Sequence, residues 1–201
     1  SDQLQKLMNA IKNVSELEGQ QEIEEALEQF DATNADLEAA EFAALGGFLV
    51  APPGQNRDDS LALLDLNVKK LLDALQTVGK VCKDPKSRKM GEAAKMTANC
   101  AAQVSAAVKT VASTTTDKPM QKAVLAQAKR FNRDVGNVIS AARLVSTKPD
   151  DPNLSTSLSS AQQAVMNALA SLNASARGLD SREADEAIEY ILKEGTDRKS
   201  T

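Results

Sequence analysis

Apolar residues recur along this chain in alternating steps of three and four. Between residues 118 and 146 they fall at Val124, Ala128, Phe131, Val135, Val138, Ala142 and Val145. At ~100° per residue these seven share one helix face. Leu61, Leu64, Val68, Leu72, Leu75 and Val78 repeat the pattern in 58–82, and Leu158, Ala161, Val165, Leu169, Leu172 and Ala176 repeat it in 153–177. No stretch alternates with the two-residue period of a strand. The pattern predicts helices over 3–16, 20–46, 58–82, 86–113, 118–146, 153–177 and 181–194. Five of them are long, and short connections make such helices pack as antiparallel neighbours. The expected fold is therefore all-α: an up-and-down five-helix bundle over 18–178. Residues 1–17 would be the end of a preceding helix, and 179–201 would start a following one.

Proline and glycine set the boundaries. Asp84-Pro85, Asp117 to Pro119 and Asp151-Pro152 each place an aspartate just before a proline. The aspartate can accept the orphan N–H groups of a first turn, and proline tolerates that turn. Gly46-Gly47, Gly178 and Gly195 suit helix ends. Val50 to Asp58, with Pro52, Pro53 and Gly54, reads as the one longer loop.

Composition sharpens this picture. Aromatic residues make up 2% of the 201 positions, and there is no Trp and no His. Scarce aromatics favour helices over sheets. The absence of histidine removes the commonest general base and metal ligand. Cys82 and Cys100 lack metal-ligand spacing and read as buried, reduced thiols of a cytosolic protein. No stretch approaches the ~18 apolar residues of a membrane span. No signal peptide is expected, and no cofactor. Serines in 113–116 and 154–160 read as loop and helix-start polars. No phosphate loop or calcium-loop spacing occurs, so an enzyme is not expected; an acidic metal site is the one catalytic alternative.

Charge is uneven although the net value is −4. Residues 1–41 hold eleven acids against Lys6 and Lys12, whereas 117–148 hold seven bases against Asp117 and Asp134. The basic helix has one aromatic, Phe131, inside its apolar stripe, so nucleic acid is not the expected partner.

The chain ends resemble the interior. Met8-Asn9-Ala10-Ile11 returns as Met166-Asn167-Ala168-Leu169, and Glu22 to Leu27 returns loosely as Glu183 to Ile188. Such a period is one whole bundle, as in an array of like units.

Three stretches carry a family resemblance: ADLEAAEFAALGGFL (35–49), DKPMQKAVLAQAKRFNRDVGNVISA (117–141) and TKPDDPNLSTSL (147–158). They resemble the rod modules of talin, an adhesion protein that couples integrin receptors to actin. The likeness is to the five-helix module carrying the family's second integrin-binding site. The resemblance implies a non-catalytic cytoplasmic scaffold at cell-matrix adhesions, where cytoskeleton meets membrane. Its implied partners are an integrin β cytoplasmic tail, vinculin and neighbouring rod modules, with the membrane only indirectly engaged. It also implies that integrin binding uses Lys129 and Arg133, with Lys122 beside them. A vinculin-binding pattern implies a cryptic second surface at Val124, Ala128, Phe131, Val135, Val138, Ile139 and Ala142. Gln127 and Asn132 replace alanines of that pattern, and Phe131 replaces a valine. Helix 153–177 follows the same pattern, with departures at Gln162, Met166 and Asn173.

Helical geometry separates the two surfaces. Lys122, Lys129 and Arg133 fall almost opposite the Val124–Val145 stripe. Reversing Lys129 and Arg133 should therefore leave folding unchanged, and the apolar stripe should reach a partner only after the bundle opens. Gly136 lies near the bases, where it either lets a partner's backbone approach or reflects sequence drift, the reading favoured here. The competing expectation is an amphipathic-bundle lipid carrier, or a module that binds membrane surfaces.

Overall fold

The computed structural model describes residues 1–84, 88–178 and 188–195. Five long helices follow one another: α1 (Asp2–Leu45), α2 (Arg57–Val81), α3 (Met90–Ser113), α4 (Lys118–Thr147) and α5 (Pro152–Arg177). A shorter helix, α6, covers 188–195. No strand occurs among the described residues.

The chain runs up and down. α3 and α4 form the centre: α1 packs on both of them, α2 packs on α3, and α5 packs on α4. Cross-ties fix the directions. Lys95 and Lys109 of α3 pair with Glu25 and Asp36 of α1, so these two helices are parallel. Arg143 and Lys129 of α4 pair with Glu24 and Glu41, so α4 runs opposite to α1.

The expected break between 3–16 and 20–46 is absent, and α1 is one unbroken 44-residue helix. A single helical glycine costs only about 1 kcal/mol against alanine. Gly19 sits among Glu16, Glu18, Gln20 and Gln21, good helix formers that carry the helix through it. The part before Lys12 projects beyond the bundle, and Lys12, Ser15 and Glu16 flank its lower end. Leu4, Leu7, Met8, Ile11, Val14 and Leu17 are all more than half exposed. Packing begins at Ile23 and continues through Ala26, Phe30, Leu37, Ala40 and Ala44.

Two of the aspartate–proline starts form as expected. Asp117 accepts from the Met120 N–H, and Asp151 accepts from the Asn153 N–H. The third does not: α3 begins at Met90, without a side-chain cap on Lys89. Asp84 instead closes a turn by donating its N–H to the Val81 carbonyl. Residues 85–87, where the helix was expected to start, lie outside the described residues.

The core face of α2 is rotated from the expected stripe. Leu64, Val68 and Val78 are buried, but so are Ser60, Asn67, Leu71 and Ala74; Leu61, Leu72 and Leu75 are only half-buried. α2 turns its inner face to α3, and Leu72 and Leu75 look across a cleft of about 380 Å³ toward α5. α6 seats in this cleft with Ile188 buried and with Ile191 and Leu192 lining the walls. Of the helix expected over 181–194, residues 181–187 lie outside the described residues. The remainder rests against this bundle.

Candidate partner-binding surfaces

α4 presents both candidate surfaces. Its apolar stripe is core throughout. Val124, Ala128, Phe131, Val135, Val138, Ile139 and Ala142 are each at most 2% exposed. The helix buries more than this one stripe, because α1 covers a second flank. Leu125 is wholly buried there. Asn132 donates its Nδ2–H to the Phe30 carbonyl and to Asn34 Oδ1, both at 2.9 Å. Its Oδ1 is buried without a hydrogen-bond partner. Asn132, one of the departures from the vinculin-binding pattern, is thus a polar tie between α4 and α1.

In the second partly matching helix, α5, Leu158, Val165, Leu169, Leu172 and Ala176 are buried, while Ala161 is half-buried. Asn173, another departure, accepts from Arg177, whose guanidinium also meets Asp65 of α2.

The basic residues divide into two environments. Lys122 and Arg133 are exposed, as expected. Lys129 is not freely exposed. Its side chain is 24% exposed, and its Nζ lies 2.6 Å from Glu41 Oε2 and 3.9 Å from Glu38 Oε1. The correction has a simple cause: α1 covers a flank that a single-stripe reading leaves in solvent. Reversing Lys129 would set an acid against Glu41, a contact that the opposite-face expectation did not include. Gly136 also faces α1, but packing does not require a glycine there. A Cβ there would meet the Phe30 ring of α1 at 3.5 Å, an ordinary contact.

Asp134 is half-buried on the other side of α4. Burial pushes its carboxyl above the usual carboxylate range, and the nearby Arg130 and Arg133 only partly offset this. Cys82 is fully buried, and burial raises its thiol pKa; Cys100 is half-buried and shifted the same way. Both thiols are free.

The sequence reading missed an apolar patch at the upper end of α1. The helix closes in a Schellman turn. The Phe48 N–H donates to the Ala43 carbonyl, and the N–H of Gly47, in the left-handed region at φ 76°, donates to the Ala44 carbonyl. A Cβ at Gly46 would lie 2.6 Å from a ring carbon of Phe48, so that glycine makes room for the ring. The turn holds Phe42, Leu45 and Phe48 outward at 71%, 61% and 82% exposure. The signal was present in FAALGGF: two aromatics and a leucine flank the glycine pair in a chain almost without aromatics.

Among the described residues, no group of three or more metal-ligating side chains converges. No helix there is long and apolar enough to cross a membrane.

Comparison with known proteins bears on this geometry. The family profile of the Talin IBS2B domain matches residues 1–179. The chain is similar to Talin-B of Dictyostelium discoideum, 36% identical over 194 residues, which covers 95% of this chain and 7% of that protein. It is also similar to Talin-A of the same organism, 35% identical over 185 residues, covering 92% of this chain and 14% of that protein. The chain thus spans a small fraction of the curated relatives it matches.

Proposed function

The chain belongs to the Talin IBS2B domain family, and from that premise we propose that it is a non-catalytic rod module of an adhesion scaffold. In this reading it binds an integrin β cytoplasmic tail on the folded bundle and offers vinculin the α4 stripe once the bundle opens. The observation that carries it is the division of α4 into two faces. Lys122 and Arg133 are exposed and lie within about 40° of Lys129 around the helix, while the Val124–Ala142 stripe is core.

Exposed charges contribute little individually and are screened by salt. A tail held by Lys122 and Arg133 therefore binds weakly and in a salt-dependent way. Lys129, tied to Glu41, serves as a bridge between α1 and α4 and is the poorer choice for a test. The test is the double reversal Lys122→Asp with Arg133→Asp, measured by titrating a fluorescent integrin β-tail peptide. Tail binding should be lost while the helical unfolding transition stays in place. Unaltered binding by the folded double variant would remove the site.

The neighbouring modules are the remaining partners in this reading. Leu7, Ile11 and Val14, exposed on the first half of α1, match Val165, Leu169 and Leu172 of α5, 158 residues later. Those α5 positions are core. The match supports assigning 1–17 to the last helix of a preceding unit, which would cover the stripe. It also weakens the lipid-carrier alternative, in which a single bundle stands alone.

A further inference from the structure

We propose that the Phe42–Leu45–Phe48 patch is the apolar half of the tail-binding surface, and that this surface spans the α1/α4 seam. The inference rests on the integrin-tail reading above and adds to it a second helix and a partner chemistry: an acidic peptide carrying one or two bulky apolar side chains.

The argument starts from register. α1 and α4 run antiparallel, with Glu24 against Arg143, Asn34 against Asn132, and Glu38 and Glu41 against Lys129. From the Glu41–Lys129 pair, Leu45 stands one turn further up α1, and Lys122 stands two turns further back along α4. At the top of the seam, a Cβ on Gly47 would lie 3.9 Å from Lys118 Nζ, and Gln121 Nε2–H donates to the Leu49 carbonyl. The apolar turn and the basic residues of α4 are therefore one continuous strip.

Its exposed charge is basic, because the acids are paired. Of the α1 acids on this seam, Glu24 pairs with Arg143 and Glu38 and Glu41 face Lys129, whereas Lys122 and Arg133 stand exposed. That leaves positive charge beside three large apolar side chains, and the complement is acidic and apolar. Half of the four phenylalanines in the chain are spent here, in solvent, while Phe30 and Phe131 are core. Large exposed apolar side chains grouped together mark interaction sites. The Schellman turn fixes the patch before binding, so little ordering entropy opposes docking.

The apolar half gives the interaction a component that salt does not screen. The experiment compares the whole chain with the variant Phe42→Ser/Phe48→Ser, titrating the integrin β-tail peptide at 50 mM and about 500 mM salt. The unsubstituted chain should keep measurable binding at high salt. The variant should lose roughly tenfold in affinity at the lower concentration and all measurable binding at high salt. Its unfolding transition should not move, because both rings are exposed. Equal affinities for variant and parent would overturn this extension alone; no tail binding by the parent chain would overturn the underlying reading and the extension with it. A parallel flotation with phosphatidylserine/phosphatidylcholine vesicles tests the lipid alternative. Phenylalanine-dependent flotation together with phenylalanine-independent tail binding would reassign the patch to a membrane surface.

Discussion

Gly91 and Gly136 are both helical glycines facing α1, and a methyl group meets different things at each. At Gly91 a Cβ would lie 2.9 Å from the Gly19 carbonyl oxygen and 2.9 Å from Glu22 Cβ. Backbone cannot yield as a flexible side chain can, so Gly91→Ala should cost about 1–3 kcal/mol. At Gly136 the neighbour is the Phe30 ring at ordinary contact distance, so Gly136→Ala should gain up to ~1 kcal/mol of helix propensity. Urea denaturation of the two variants checks both signs. Asp134 gives a pH-dependent counterpart. Its folded carboxyl titrates above the unfolded value, so the folded state binds the proton more tightly, and stability falls as pH rises through that window. Asp134→Asn should therefore stabilise the chain slightly at pH 7, and the gain should vanish below the carboxylate range. A gain that persisted unchanged at low pH would place its origin elsewhere.

At the scale of helices, the period of three and four was enough to find α2, α4 and α5 within a residue or two. The α4 stripe proved to be core at every position. What periodicity could not convey is how many neighbours each helix has. α4 is covered on two flanks, which drew Lys129 toward α1. α2 faces α3 with a rotated surface because its α5 side borders a cleft. The single 44-residue α1 was also hidden, because a glycine reads as a stop unless its neighbours are weighed. The same elements give two expectations. Residues 1–10 are exposed throughout, so removing them should leave the unfolding midpoint unchanged; a marked drop would mean the projecting part supports the bundle. An isolated 118–146 peptide should bind vinculin more tightly than the intact chain, because the folded bundle holds the stripe in its core. Equal affinities in a calorimetric titration would argue against a hidden site.

For the molecule as a whole, the core is one continuous cluster shared by all five long helices and Ile188. Opening is therefore expected to be cooperative, and Cys82 at its edge can report it. Labelling of Cys82 should be ~10³-fold or more slower in the folded chain than in urea, following the population of open molecules. Rapid labelling under native conditions would reveal a local breach. The unbroken α1 has a mechanical corollary. The helical residues before Lys12 extend about 15 Å past the end of the bundle, at about 1.5 Å per residue. They leave from the lower end of the bundle, while α5 finishes at the upper end. A pull between these exits drags α1 lengthwise along α3 and α4. It shears the whole seam at once, so the Glu41–Lys129 pair and the Asn132 tie share the strain with every apolar contact between them. The opposite geometry, with both exits at one end, would peel the helix off turn by turn at a far lower force.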